Sequence, residues 1–266
     1  MNAPLQTRLT PQLQVFVSLL WGWFLLWSAL ALWIMPWSVG HYQVSQWIGD
    51  PASHPLAAAL ALVLGYFDFV WMVLGVAVLY VEMITREGLA QARRGSLLVF
   101  GACAAVVFLN SATGFPLGGF LYTTKLGLRV ADLFPPGVLL LWYLVIVSSH
   151  YTAVAVLARL RHGKPVPPWW LAGATALLTL LTDWNLEKIA LHVRLYWRWP
   201  LERVPAPEWP PLGNFLTWFL LALVIARLLG PTRQPRPGAG PLRYERPLVI
   251  FLLFNLVLAA VHLVRG

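Results

Sequence analysis

The chain has 266 residues, of which 59% are apolar and 11% are charged, and its mean hydropathy is +0.69. A soluble domain averages about a quarter charged residues, so these charges are too few to cover a water-exposed surface of this size. The composition excludes an ordinary soluble fold and predicts an integral membrane protein.

The net charge of +9 has two interpretations. In a soluble protein it would favour nucleic-acid binding, but here Lys and Arg are scattered between apolar runs and form no single stripe. In polytopic membrane proteins basic residues concentrate in loops for topological reasons. We therefore expect no nucleic-acid partner. The single cysteine, Cys103, excludes an intrachain disulfide, and the dispersed histidines match no metal-site spacing.

Seven apolar runs are long enough to cross a bilayer, which takes about 20 residues. They cover residues 13–36, 56–82, 96–113, 136–158, 167–190, 213–230 and 246–264. The sequence therefore predicts an all-α, polytopic membrane helix bundle of about seven transmembrane helices, which forms a single integral membrane domain over 1–266. The Pro- and Gly-rich segment 231–245 is expected to link spans six and seven.

The distribution of basic residues predicts the orientation. An N-terminus in the cytoplasm leaves most of the 19 Lys and Arg residues on the cytoplasmic side, as the positive-inside rule requires. We expect an N-in, C-out protein of the plasma membrane, with the linker 231–245 in the cytoplasm. Run 13–36 could instead be a cleaved signal peptide, but an uncleaved span is favoured because the apolar stretch continues past the candidate cleavage site at 29–31.

Three acidic residues lie inside predicted spans: Asp68 in the second, and Asp183 and Glu187 in the fifth. An ionisable side chain in lipid is costly and is by default a functional candidate. Asp183 and Glu187 are four residues apart and share a helical face, so both cannot ionise cheaply. One is expected to keep its proton, as a general acid must. The alternatives are neutralisation of the pair by Lys188 or Arg194, and an ordinary polar contact for Asp68.

The tryptophans near predicted span ends fit an interfacial belt. Trp184, Trp197, Trp199 and Trp218 differ because they flank the acidic pair and the loop after it. Aromatic faces stabilise a cation, so these four are candidates for a site as well as for anchoring. His150, alone in the fourth span, is more typical of a structural polar group.

Four short segments meet at one membrane face in this orientation: 113–122, 183–187, 197–199 and 211–215. The natural interpretation is a pocket built from spans three, five and six.

These segments resemble the motifs of the membrane-embedded carotenoid biosynthesis proteins of bacteria and archaea, whose characterised members are carotenoid 1′,2′-hydratases of the CruF type. The family pattern reads Thr-Gly-x-Pro-Phe-Gly-x-Tyr-x-Tyr, then an Asp followed four residues later by Asp-Pro, then Trp-x-Trp, then Asn-Phe with a Trp soon after. The matching residues are Thr113, Gly114, Pro116, Gly118, Tyr122, Asp183, Trp197, Trp199, Asn214, Phe215 and Trp218.

The resemblance covers about residues 100–230, with four departures in its motifs. Leu117 and Phe120 replace the expected Phe and Tyr. Glu187 stands for the second Asp, and Lys188 replaces the Pro after it.

The resemblance implies acid-catalysed hydration of the terminal C1′=C2′ double bond of an acyclic carotenoid end group, as in γ-carotene or lycopene, giving a tertiary alcohol. Asp183 is expected to donate the proton, while Glu187 positions water or takes the proton back. The expected partners are a membrane-dissolved carotenoid, water and the lipid bilayer, with no cofactor and no metal. The expected substrate-binding residues are Gly114, Pro116, Tyr122, Trp197, Trp199, Asn214, Trp218 and Asp68.

Two alternative functions stay open. A non-catalytic isoprenoid or lipid transporter, or an assembly protein, would be expected to show an inverted repeat if it transports, and none is visible in the sequence. A lycopene-cyclase-type enzyme would begin with the same protonation. Product mass separates the two reactions, because hydration adds one water and cyclisation adds nothing.

Overall fold

The computed structural model describes residues 11–36, 55–127, 129–162, 164–200, 210–230 and 246–265. The α-helices within these ranges are α1 (Pro11–Ile34), α2 (Pro55–Gly65), α3 (Phe67–Glu87), α4 (Leu89–Thr113), α5 (Pro136–Leu160), α6 (Pro168–Lys188), α7 (Leu212–Leu229) and α8 (Arg246–Arg265). Two short strands, β1 (Leu121–Tyr122) and β2 (Trp197–Arg198), pair antiparallel. The predicted all-α, polytopic bundle is confirmed.

Within the described ranges, six helices are long and apolar enough to cross a membrane, namely α1, α3, α4, α5, α7 and α8. Helix α6 occupies the place of the fifth predicted span but is less apolar, because it contains three threonines and two acids. It packs chiefly against α7 and α5, so it belongs to the same bundle. The predicted linker 231–245 and the loop between the first two predicted spans, 37–54, lie outside the described residues.

Two predicted span boundaries are wrong. The run 56–82 divides at Tyr66 into α2 and α3, and the membrane-length helix is α3, which continues to Glu87. The third span begins at Leu89 and not at residue 96, because Gly88, with φ of 90°, makes a tight turn directly after α3.

The helix ends gather at two ends of the bundle. At the end that the sequence predicts to face outside, called the outer end, His262 of α8 contacts the Asn185 carbonyl of α6 at 2.9 Å. At the opposite, inner end, Gly95 of α4 packs closely against Met83, near the C-terminal end of α3, and against Leu229, at the C-terminal end of α7. A Cβ on Gly95 would lie 3.0 Å from each of these side chains. The C-terminal ends of α6 and α8 therefore lie together, and so do the C-terminal ends of α3 and α7.

Helix α5 is the centre of the bundle. Of its most apolar 18-residue window, 83% is buried inside the protein, against 22% for α1. It packs against α3, α4, α6 and α8. Such burial on all sides is expected for an apolar helix enclosed by other helices.

The loops after α4 and α6 are joined over the outer end. Tyr122 in β1 pairs with Trp197 in β2, and the Thr123 hydroxyl donates to the Leu195 carbonyl at 2.6 Å. Gly118, with φ of 109°, approaches Pro211 so closely that a Cβ would overlap the proline ring. Three separate stretches of chain are thereby held at the end of α6.

Candidate active site

The two acids of the fifth predicted span lie near the C-terminal end of α6, and both are fully buried. As the spacing predicts, Asp183 and Glu187 share the helix face that packs inward. Directly after α6 the backbone forms a π-helical turn, Ile189–Val193, which redirects the chain toward β2. Single π-turns are frequent at functional sites.

The Glu187 carboxylate accepts hydrogen bonds from two of the other segments. The side-chain amide of Asn214 donates to Oε1 at 2.6 Å, and the indole Nε1 of Trp197 donates to Oε2 at 3.1 Å. Segments 183–187, 197–199 and 211–215 therefore converge on one carboxyl group, which no spacing rule alone could establish.

The Asp183 carboxyl group has a different environment. Within the described part of the chain, neither of its oxygens accepts a hydrogen bond from an N–H or hydroxyl group, and the Glu187 carboxyl lies close enough for the two carboxyl groups to share a hydrogen bond. The Asn214 Oδ1 is also buried without a partner among these residues. Buried polar atoms without partners are rare in native proteins, so each requires an explanation.

The pairing of α6 with α7 shows which residue of α7 lies level with Asp183. Glu187 contacts Asn214, and the rings of Trp184 and Phe215 lie 5.4 Å apart, so the two helices run antiparallel in this register. Trp218, one turn after Asn214 on the same face, is therefore level with Asp183.

Trp218 stacks on Trp142 of α5, with ring centroids 3.4 Å apart and planes 15° apart, and both side chains are buried. Together they form an aromatic wall at the level of Asp183. The prediction from sequence missed Trp142, because it lies in a continuous apolar run without a motif, and only its stacking on Trp218 reveals it.

The predicted residues Tyr122, Trp197 and Trp199 lie together around Phe120. Phe120 stacks on Trp197 at 5.6 Å and meets Tyr122 and Trp199 edge-on at 5.6 Å and 5.8 Å. Phe120 is one of the departures from the family pattern, yet its ring is the hub of this cluster. Burial, together with the nearby Glu187, raises the pKa of the Tyr122 hydroxyl, which therefore stays neutral.

Gly114 and Pro116 shape the loop at the end of α4. Gly114 caps the helix in the left-handed conformation and donates its N–H to the Asn110 carbonyl at 2.8 Å. The Pro116 carbonyl oxygen approaches Gly213, where a Cβ would lie 3.1 Å away. Their contacts hold the loop against the start of α7, and their predicted contact with substrate stays a prediction.

Asp68 lies in an ion pair away from the other two acids. Its Oδ2 accepts from the Arg194 guanidinium at 2.9 Å and 2.5 Å and from the Tyr196 hydroxyl at 3.0 Å. Burial, together with Asp68, raises the pKa of Tyr196 well above its ordinary value. Arg194 therefore pairs with Asp68, and among the described residues no Lys or Arg forms an ion pair with Asp183 or Glu187.

Within the described part of the chain, no three His, Cys, Asp or Glu side chains lie together as a metal site would require. The site instead combines two carboxyl groups, one amide and several aromatic rings. One carboxyl is level with two stacked tryptophan rings, and the other accepts hydrogen bonds from two N–H donors. Such a pair can release a proton on one side and accept a proton on the other.

The sequence matches one protein family, described as carotenoid biosynthesis protein, over residues 67–266. This range begins at the first residue of α3 and includes every residue of the candidate site. No curated protein and no solved structure matches the chain.

Proposed function

The chain belongs to the family of carotenoid biosynthesis proteins, and on that premise we propose that it is a carotenoid 1′,2′-hydratase. It adds water to the terminal C1′=C2′ bond of an acyclic end group, as in lycopene or γ-carotene, and forms a tertiary alcohol. The observation that carries this proposal is the unequal environment of Asp183 and Glu187. Among the described residues the first acid has no N–H or hydroxyl donor, while the second is held by two N–H donors.

The first step is protonation of the alkene by Asp183. A buried carboxyl group with no N–H donor and no cation beside it is most stable in its neutral form, which is the form that can donate a proton. The Asp183 O–H bond breaks as a C–H bond forms at C2′, and C1′ becomes a tertiary carbocation. Trp218 is level with Asp183, and Trp142 stacks on it, so their faces stabilise this cation.

The second step is capture of the cation by water. The unpartnered Oδ1 of Asn214 accepts a hydrogen bond from the water and orients it. As the C1′–O bond forms, the proton lost by the water passes to Glu187. Return of that proton from Glu187 to Asp183, one helical turn away, restores the starting state. Atoms and charge balance without a cofactor.

The substrate reaches the site from the lipid. An acyclic carotenoid is a hydrocarbon rod about as long as the ~30 Å apolar core of a bilayer is thick. Trp184 and Leu216, which are 54% and 53% exposed, present an apolar α6–α7 surface beside the buried acids. The end group enters across this surface, and Tyr122, Trp197 and Trp199 close the site on its outer side. We place the protein in the plasma membrane.

The test is expression of the full chain in cells that accumulate lycopene, followed by pigment analysis by mass. A hydratase yields a product heavier by one water, which disappears in Asp183→Asn. The matched control is Asp132→Asn, the same change at a side chain that is 92% exposed. Unchanged pigments beside well-folded protein would contradict the proposal and favour a non-catalytic role. A new pigment of unchanged mass would instead indicate a cyclase-type reaction.

A further inference from the structure

Arginine side chains stack on tryptophan rings at the inner end of the bundle. The Arg161 guanidinium lies 5.3 Å from the centre of the Trp170 ring, and that of Arg227 lies 5.4 Å from the centre of the Trp169 ring. Both tryptophans are in the first turn of α6, and they are 63% (Trp169) and 59% (Trp170) exposed. Arg161 caps the end of α5, and Arg227 is in the last turn of α7. Two cations therefore flank the start of α6.

Neither arginine is neutralised within the described residues. No carboxylate of the described ranges lies within ion-pair distance of Arg161 or Arg227, and no group of these ranges forms a hydrogen bond with the buried Nε of Arg161. A third arginine at this end provides the contrast. Arg246 stacks on Trp21 at 5.6 Å, but its guanidinium also lies 3.9 Å from the Glu82 carboxylate.

We propose that Arg161 and Arg227 bind the phosphate groups of anionic phospholipids at the inner end. A guanidinium group matches phosphate oxygens with paired N–H donors. Exposed tryptophans at helix ends lie at the depth of the lipid headgroups, which puts both cations at phosphate level. Each arginine also has an exposed leucine next to it in sequence, Leu160 at 69% and Leu228 at 62% exposed, where acyl chains can pack. A free phosphate ion would gain nothing from these leucines, so the occupant is a lipid.

The experiment is native mass spectrometry of the full chain, purified in detergent and mixed with equal amounts of phosphatidylglycerol and phosphatidylcholine. We expect the wild-type chain to retain phosphatidylglycerol with a preference of about tenfold. The double variant Arg161→Gln, Arg227→Gln should lose that preference. Arg246→Gln, which changes a stacked arginine that already has a carboxylate partner, should keep it.

A single Arg227→Gln variant guards against misfolding, because this side chain is exposed, and it should lose part of the preference. Equal retention of the two lipids by the wild-type chain would overturn the proposal. So would an unchanged preference in the double variant, or an equal loss in Arg246→Gln. Inorganic phosphate is added in a last arm of the experiment. If it displaces phosphatidylglycerol while uncharged lipid does not, the site binds a free anion, and the proposal is overturned.

Discussion

Two groups of buried acids lie at the outer end, and they differ in whether a cation accompanies them. Asp68 is 3% exposed and pairs with Arg194 and Tyr196, whereas Asp183 and Glu187 are fully buried beside aromatic rings. A buried acid paired with its own cation is a structural contact, because removal of either partner would leave the other uncompensated. Acids without a cation can exchange protons, which suits them to acid–base chemistry.

The ion pair nevertheless contributes to the site through the chain. Tyr196 directly precedes Trp197, whose indole donates to Glu187, and Arg194 lies two residues before Tyr196. Asp68 of α3 therefore holds in place the loop that delivers Trp197. In the proposed mechanism Asp68 is therefore a positioning residue, and Asp183 and Glu187 are the reacting groups.

The largest effect is expected for Asp183→Asn. Asparagine keeps the shape of a neutral carboxyl group but has no acidic proton, so hydration should fall about 1000-fold while the protein still folds. Product per mole of purified protein, measured by chromatography with mass detection, checks the first part, and the thermal unfolding midpoint checks the second. Activity within tenfold of the wild type would exclude Asp183 as the proton donor.

Asp68→Asn should instead act on stability. Removal of this carboxylate leaves Arg194 buried without its partner, which costs about 3–5 kcal/mol of unfolding free energy. Unfolding in mixed micelles by increasing sodium dodecyl sulfate measures the loss. The double variant Asp68→Asn, Arg194→Gln should regain part of it, because no uncompensated charge remains. A single variant as stable as the wild type would show that the ion pair is not structural.

Glu187→Gln should lower hydration about 100-fold, because an amide cannot take the proton from the attacking water. Trp197→Phe, which keeps the carboxylate and removes only one of its donors, is the matched comparison and should have a smaller effect. The same product assay checks both variants. A larger loss in Trp197→Phe than in Glu187→Gln would mean that the loop position matters more than the carboxylate.

The smallest effect is expected for Trp142→Phe, about a tenfold loss of hydration, because phenylalanine binds a cation more weakly than tryptophan does. Trp71→Phe is the control, since Trp71 is equally buried and stacks on Phe254 at 5.3 Å, outside the carboxyl pair's aromatic wall. The measurement is activity per folded protein. Equal losses of hydration activity in the two variants would indicate a general packing defect and would contradict a contact between Trp142 and the cation.

Much of the architecture was predictable, because the bilayer imposes a length and an apolar composition on every span. The shared face of Asp183 and Glu187 was predictable too, since helical periodicity is a local property. Helix boundaries were harder to predict. At Gly88 a single glycine lets α4 start at Leu89, seven residues before the apolar run 96–113 begins. The choice between the two roles for Asp68 was open in the sequence, because its partner Arg194 is 126 positions away.

The sequence by itself determined that the chain is a bundle of apolar helices with two misplaced acids on one helix face, since these facts depend only on composition and on spacing within one helix. Only the tertiary structure decided which acid each cation neutralises, and it added Trp142 to the site. Both depend on contacts between helices distant in sequence. The first depends on the contact between α3 and the segment after α6, the second on the stacking of Trp142 on Trp218, and no local pattern encodes either.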